Sequence, residues 1–185
     1  MRHWTMRLRS HPQEITENGI DIRHFPVLHE VSNFRVIDPL TADGPQLRMR
    51  YSFTWPAPLT PGFHVDLRVR IDGLGVSLVE EKVAGGWTVR QLTLKTPIGE
   101  RETLLHYCAT VNRRGRNAVS KALWSCVEPL AVRGVLFAPY TQLSRDRRVW
   151  NNKKYLRRPA IAGDDGPIPE YRRWATQFYP EGADC

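Results

Sequence analysis

Apolar and polar positions alternate strictly in two neighbouring stretches of the chain. From Gln46 to Trp55, Leu47, Met49, Tyr51, Phe53 and Trp55 fall on one face, and Arg48, Arg50, Ser52 and Thr54 on the other. From Phe63 to Ile71, Phe63, Val65, Leu67, Val69 and Ile71 are opposed by His64, Asp66, Arg68 and Arg70. A period of two over this length predicts antiparallel strands with one packed side. Asp72-Gly73-Leu74-Gly75 and Ala84-Gly85-Gly86 mark the next turns, and 76–83, 87–95 and 103–111 continue the meander less regularly. Ahead of the sheet, 12–29 reads as a helix, with Pro12 in its first turn and Glu14 and Glu17 at its positive end. Pro26 should distort that helix. After Gly115 the period becomes helical at Val119, Leu123, Val127 and Leu130. Pro129 and Pro139 should divide this region, and further helices are predicted over 140–157 and 168–178. Helix, antiparallel sheet, then helices is an α+β layout with the helices on one face.

Composition narrows the class. Of 185 residues, 41% are hydrophobic and 25% charged, with six each of Trp, Tyr and Phe, which excludes intrinsic disorder. No apolar run approaches the ~20 residues that span a bilayer, and Met1-Arg2-His3-Trp4 opens no signal peptide. Cys108, Cys126 and Cys185 form no C-x-x-C or C-x-H pair, so reduced thiols in a soluble, cytoplasmic domain are expected. The net charge of +8 is uneven: residues 113–173 carry 14 Lys and Arg against 5 Asp and Glu, a net of +9. A solvated helix face explains this most simply; no nucleic-acid motif accompanies the charge.

One segment carries candidate chemistry. Asn18, Asp21 and His24 are three apart and would share one helical stripe, and His29 follows His24 by five residues with Pro26 between them. The proline distortion could bring both imidazoles to one point. Asp21, one turn before His24, could accept its distal N–H and fix the tautomer. An oxygen ligand from elsewhere would complete a two-histidine, one-carboxylate facial triad, the arrangement that leaves iron(II) open positions for oxygen chemistry. Two histidines near a helix end can equally be capping or surface residues.

Asn18-x-x-Asp21-x-x-His24-Phe25-Pro26-x-x-His29 resembles the mononuclear-iron motif of Rieske-type non-haem iron oxygenases. Asp146-Arg147-Arg148-Val149-Trp150-Asn151-Asn152-Lys153, Asp164-Asp165-Gly166-Pro167-Ile168 and Arg172-Arg173-Trp174-Ala175-Thr176-Gln177-Phe178-Tyr179 resemble later motifs of the branch containing 3-ketosteroid 9α-hydroxylase and cholesterol 7-desaturase. The resemblance implies a helix-grip (START-like) fold, an antiparallel sheet packed against a long C-terminal helix. It implies His24, His29 and Asp146 as ligands of a mononuclear Fe(II), with Asn18 close to the iron. Asp21 would link His24 to the cluster-binding histidine of a neighbouring subunit. Val149 and Trp150, three and four residues after Asp146, give its helix an inward face on the same side.

The same resemblance implies O₂-dependent hydroxylation or desaturation of a sterol or ketosteroid-like substrate. Electrons would come from NAD(P)H through a reductase or ferredoxin and a Rieske [2Fe–2S] cluster, within a homotrimer, and no nucleic-acid partner is implied. The C-x-H and C-x-x-H pairs that hold such a cluster do not occur in these 185 residues. The chain is therefore expected to be the catalytic domain over 1–185, with its Rieske domain elsewhere. The alternative is a non-catalytic helix-grip module that binds a hydrophobic ligand. Trp150, Trp174, Phe178 and Tyr179 read as core and Asp164-Asp165 as a turn. The aromatic face of 47–55 suits core or pocket, and His64 and His106 remain open between sheet surface and pocket.

Overall fold

The two alternating stretches form neighbouring antiparallel strands, Gln46–Trp55 and Phe63–Asp72, with Leu47 opposite Ile71 and Phe53 opposite Val65. This computed structural model describes residues 1–56, 61–84, 86–113, 128–154, 156, 159–163 and 165–180. In chain order the elements are β1 (Arg2–Leu8), α1 (Pro12–Asn18), α2 (His24–Leu28), β2 (Ser32–Asp43), β3 (Gln46–Trp55), β4 (Phe63–Asp72), β5 (Val76–Val83), β6 (Trp87–Gly99), β7 (Glu102–Arg113), α3 (Glu128–Asn152) and α4 (Ile168–Ala175), then a 3₁₀ turn at Thr176–Phe178. The seven strands form one sheet, ordered β1-β7-β6-β5-β4-β3-β2, with every pair antiparallel. The α+β layout and the long helix α3 match the sequence expectation.

Two apolar clusters lie on the inner face. One joins Leu47, Met49, Tyr51 and Phe53 of β3 and the inward residues of β4 to Tyr171 and Trp174 of α4 and to Ile20. The other joins Leu8 and Ile15 to Leu105, Tyr107 and Ala109 of β7 and to Leu143 and Trp150 of α3. Trp174 and Trp150 are core as expected, and Phe178 packs against the first cluster. His64 is exposed opposite Thr54, and His106 stacks on His3 with centroids 5.7 Å apart, so neither faces the interior.

Several predicted boundaries move. The single helix over 12–29 is two helices, α1 and α2, separated by residues 19–23. Pro26 sits in the first turn of α2, where a missing N–H costs no hydrogen bond, so the break falls at Gly19 instead. Pro129 occupies the equivalent first turn of α3, and Pro139 lies within that continuous helix rather than dividing it. The helix over 140–157 ends at Asn152, and that over 168–178 tightens to 3₁₀ after Ala175. Val119, Leu123, Val127 and Asp164 lie outside the described residues. β1 and β2, unpredicted, are the sheet edges; β2 is mostly exposed and carries Pro39, which an edge strand tolerates.

Candidate metal centre and its cavity

The turn that sets the centre is braced from both ends of the chain. His11 and Glu14 form a capping box at the start of α1, where His11 Nδ1 accepts from the Gln13 N–H and Glu14 Oε2 from the His11 N–H. Glu17 receives Arg172 at 2.7 Å and Lys153 at 2.9 Å. Burial raises its pKa, and the bonds and charges of Arg172 and Lys153 outweigh that, leaving it below the usual carboxylate value. Tyr171 Oη donates to the Gln13 carbonyl at 2.9 Å, and the Ile22 N–H to the Asp165 carbonyl at 3.0 Å. Gly166 has φ +97°, and a Cβ there would meet Ile20 O at 2.9 Å, so glycine alone fits against the 19–23 turn. The C-terminal motif therefore supports the N-terminal one mechanically.

His24 opens α2 and His29 caps its end, which places their rings at right angles with centroids 4.5 Å apart. The two Nε2 atoms are 2.8 Å apart. Asp146 comes from α3, its Oδ1 lying 2.9 Å from His24 Nε2 and 3.5 Å from His29 Nε2. The side chains are 7%, 7% and 14% exposed. Among the described residues this is the one cluster of three such groups whose donor atoms lie close enough to share an ion. One ion at a metal–ligand distance of about 2 Å could touch all three.

Neighbouring groups suit that use. Burial lowers the His29 pKa, which favours the neutral ring a metal needs. His29 Nδ1 is buried without a completed hydrogen bond, as is Oε1 of Gln142, one turn before Asp146. Gln142 nevertheless acts on the His29 ring and raises its pKa. A metal on Nε2 would leave Nδ1–H as donor toward that oxygen, the usual support of a metal-bound histidine. Asn18 Nδ2 lies 3.1 Å from His24 Nε2 and donates to Asp146 Oδ1 at 3.2 Å. It reaches them from the last residue of α1, not along a continuous helical stripe. Asp21 also differs from expectation: its Oδ1 accepts the backbone N–H of His24, at 3.2 Å, and not the imidazole. A short Asp side chain three residues before a helix start makes this backbone contact more readily than it spans to the ring.

The centre opens onto a cavity of about 470 Å³ between the sheet and α3. Phe53 and Trp55 line it, so the aromatic face of β3 is partly core and partly pocket. Sequence reasoning missed its polar wall: Glu81, Gln91, Lys95 and Tyr107 all face the cavity. The signal for Glu81, Gln91 and Lys95 is the irregular alternation of 76–83 and 87–95; Tyr107 sits on β7 and carries no such mark. Burial raises the Glu81 pKa to about 7 even with Gln91 donating to it at 2.5 Å, and burial lowers that of Lys95 to about 7. Cys108 is a free thiol on β7, and among the described residues no Cys–His set fits an iron–sulfur cluster.

Antiparallel sheet, long helix and the cavity between them make this a helix-grip domain of the START-like kind. A START superfamily protein from Mycobacterium smegmatis shares the fold, with a TM-score of 0.52 and 15% identity, covering 80% of this chain and 96% of that one. Within that architecture the chain belongs to the 3-ketosteroid 9alpha-hydroxylase C-terminal domain family, whose profile matches residues 1–179. It is 28% identical over 204 residues to cholesterol 7-desaturase nvd 1 of Ciona intestinalis, covering 94% of this chain and 39% of that protein. To the oxygenase component of the 3-ketosteroid-9-alpha-monooxygenase of Rhodococcus rhodochrous it is 24% identical, covering 95% and 45%. The chain thus spans about two fifths of the length of the curated relatives it matches.

Proposed function

We propose that residues 1–185 are the catalytic domain of a Rieske-type oxygenase acting on a sterol or ketosteroid-like substrate, with His24, His29 and Asp146 holding a mononuclear Fe(II). The observation that carries this is the meeting of three donor atoms, 2.8–3.5 Å apart, on the wall of a largely apolar cavity. Bound there, iron(II) supplies activation of O₂ for hydroxylation or desaturation at an unactivated C–H bond. The chain's own residues do the rest. His24 and His29 present lone pairs from the two ends of one short helix, and Asp146 supplies the single negative charge. Asn18 holds Asp146 Oδ1 beside His24. Phe53, Val65, Leu67 and Val69 give a rigid polycycle an apolar, water-poor surface.

Electrons would reach the centre from a Rieske [2Fe–2S] cluster outside these residues, supplied from NAD(P)H through a ferredoxin or reductase, in a cytoplasmic homotrimer. Asp21, held at the His24 backbone, would face that cluster's histidine. The basic half would steer an acidic electron donor, with Arg147 and Arg148 exposed for that role and Lys153 engaged by Glu17. Among the described residues no helix is long and apolar enough to cross a membrane.

The test is iron content after anaerobic loading. The wild type should bind one Fe(II) per chain, and the His24→Ala, His29→Ala double variant should lose more than half of it. Retention of most of the iron would overturn the assignment. Steroid binding by a wild-type chain that takes up no iron would favour the non-catalytic ligand-binding module.

A further inference from the structure

The cavity has a second polar corner, built from residues outside the metal centre. Lys95 of β6 is 5% exposed, and its Nζ donates to Thr16 Oγ1 at 2.6 Å and to Ser77 Oγ at 2.7 Å. An ammonium has three N–H donors and no lone pair, so these two hydroxyls leave one donor over. Lys95, Thr16 and Ser77 all line the cavity, which is where that donor can be used.

No counter-charge stands nearby. Among the described residues no carboxylate lies within 4.0 Å of Lys95 Nζ. Glu81, the acid on the same wall, is engaged by Gln91, which precedes Lys95 by four residues, roughly 13 Å of strand. A buried cation without an anion is unfavourable unless some group compensates it. Burial accordingly pulls the Lys95 pKa down to about 7. Thr16 Oγ1 also donates to the Pro12 carbonyl at 2.9 Å, so its lone pairs are what it offers Lys95. The corner thus presents a spare N–H donor and, among the described residues, no carboxylate to receive it.

We propose that Lys95 anchors the cavity's ligand by donating to an oxygen that carries no hydrogen, a ring ketone or a carboxylate. This rests on reading the cavity as the substrate site, and it deepens that reading. One end of a rigid polycycle fixed at Lys95 determines which carbon faces His24, His29 and Asp146. An alcohol oxygen accepts from Lys95 too, but it brings an O–H that needs an acceptor of its own beside the ammonium, whereas a ketone or carboxylate brings acceptors alone.

The experiment compares four ligands on one skeleton: androstane, androstanol, androstanone and androstane carboxylic acid. Their binding to the metal-free full chain is measured by calorimetry for the wild type and for Lys95→Met. A hydrogen bond from a charged donor corresponds to an affinity gain of about tenfold or more. The wild type should therefore prefer the ketone or the carboxylate to androstane by about that factor. Lys95→Met should abolish the preference and leave androstane binding within about twofold, since it removes a donor and keeps the apolar stem. Whichever of androstanone and the carboxylic acid shows the Lys95-dependent gain identifies the acceptor, and androstanol should show no gain of that size. Should Lys95→Met fail to fold, Lys95→Gln, which keeps an N–H donor without the charge, should reduce the preference for the ketone or the carboxylate several-fold and leave androstane binding within about twofold. Two results would overturn the proposal: equal affinity of the wild type for all four ligands, or an equal loss across all four in the variants, which would make Lys95 a structural link between α1 and the sheet. Because binding is read without metal, a failed iron assignment and a failed anchor remain distinguishable.

Discussion

Along β3 the inward residues Leu47, Met49, Tyr51 and Phe53 are apolar and at most 3% exposed, and Tyr171 and Trp174 of α4 close over their cluster. Along β5 and β6 the inward positions include Ser77, Glu81, Gln91, Thr93 and Lys95, and they line the cavity, with Lys95 reaching α1 through Thr16. Both halves belong to one sheet with one unbroken register between β3 and β6. What differs is whether another element fills the space above the strand. Where it does, packing stabilises the fold; where it does not, the strand can carry groups whose ionisation is costly and whose use is for a ligand.

That comparison can be broken most forcefully on its packed side. Leu47 is fully buried and lies away from the cavity lining, so Leu47→Ala should cost about 2–5 kcal/mol by urea denaturation. A cost below about 1 kcal/mol would mean that this half is no better packed than the other.

On the cavity side the expected effect is smaller and depends on pH. Burial raises the Glu81 pKa from its ordinary 4.5 to about 7, so the folded chain holds a proton that the unfolded chain releases. Its contribution is fully present below the unfolded value and is lost as pH rises through about 7. Glu81→Gln removes that loss while keeping an oxygen for Gln91. The variant should gain on the wild type between pH 4.5 and 7, by about 3 kcal/mol at the plateau, and run parallel above it. Parallel curves throughout would show that the wall is solvated like an open surface.

The smallest effect is expected at Tyr107. Its Oη is buried with no hydrogen-bond partner among the described residues. Tyr107→Phe should therefore change stability by less than about 0.5 kcal/mol, in either direction, in thermal unfolding of the ligand-free chain. A loss above about 1 kcal/mol would reveal a partner for that hydroxyl.

The same contrast explains what the sequence could disclose. β3 and β4 were legible because a packed face demands an apolar residue at every second position. β5 and β6 blurred the rule at Ser77, Glu81, Gln91 and Lys95, which are the residues that make the cavity. Inward parity combined with polar identity was the available signal. β2 is silent because it is exposed almost throughout and so needs no alternation, whereas β1 does alternate, with Trp4, Met6 and Leu8 turned to the core, over too short a run at the start of the chain to stand out. His24 and His29 were legible from spacing around Pro26, but the break at Gly19 was not, since it depends on Gly166 and Asp165 packing from more than 140 residues away. Asp146 rests on its resemblance to a later motif and on the inward side that Val149 and Trp150 give its helix; its arginine-rich neighbours alone read as surface. Asp21 was correctly tied to His24 and assigned to the wrong atom of it, because spacing does not say whether a backbone or a ring N–H is nearer.

The central claim is that the metal centre and the apolar cavity are one site, and cobalt(II) tests it most directly because its visible spectrum reports on ligands and geometry. Co(II)-loaded wild-type chain should give a d–d absorption spectrum that shifts when a steroid ketone such as androstanone fills the cavity. The His24→Ala, His29→Ala variant should show neither the spectrum nor the shift. A wild-type spectrum that stays unchanged at saturating steroid, with binding verified by calorimetry, would contradict the claim.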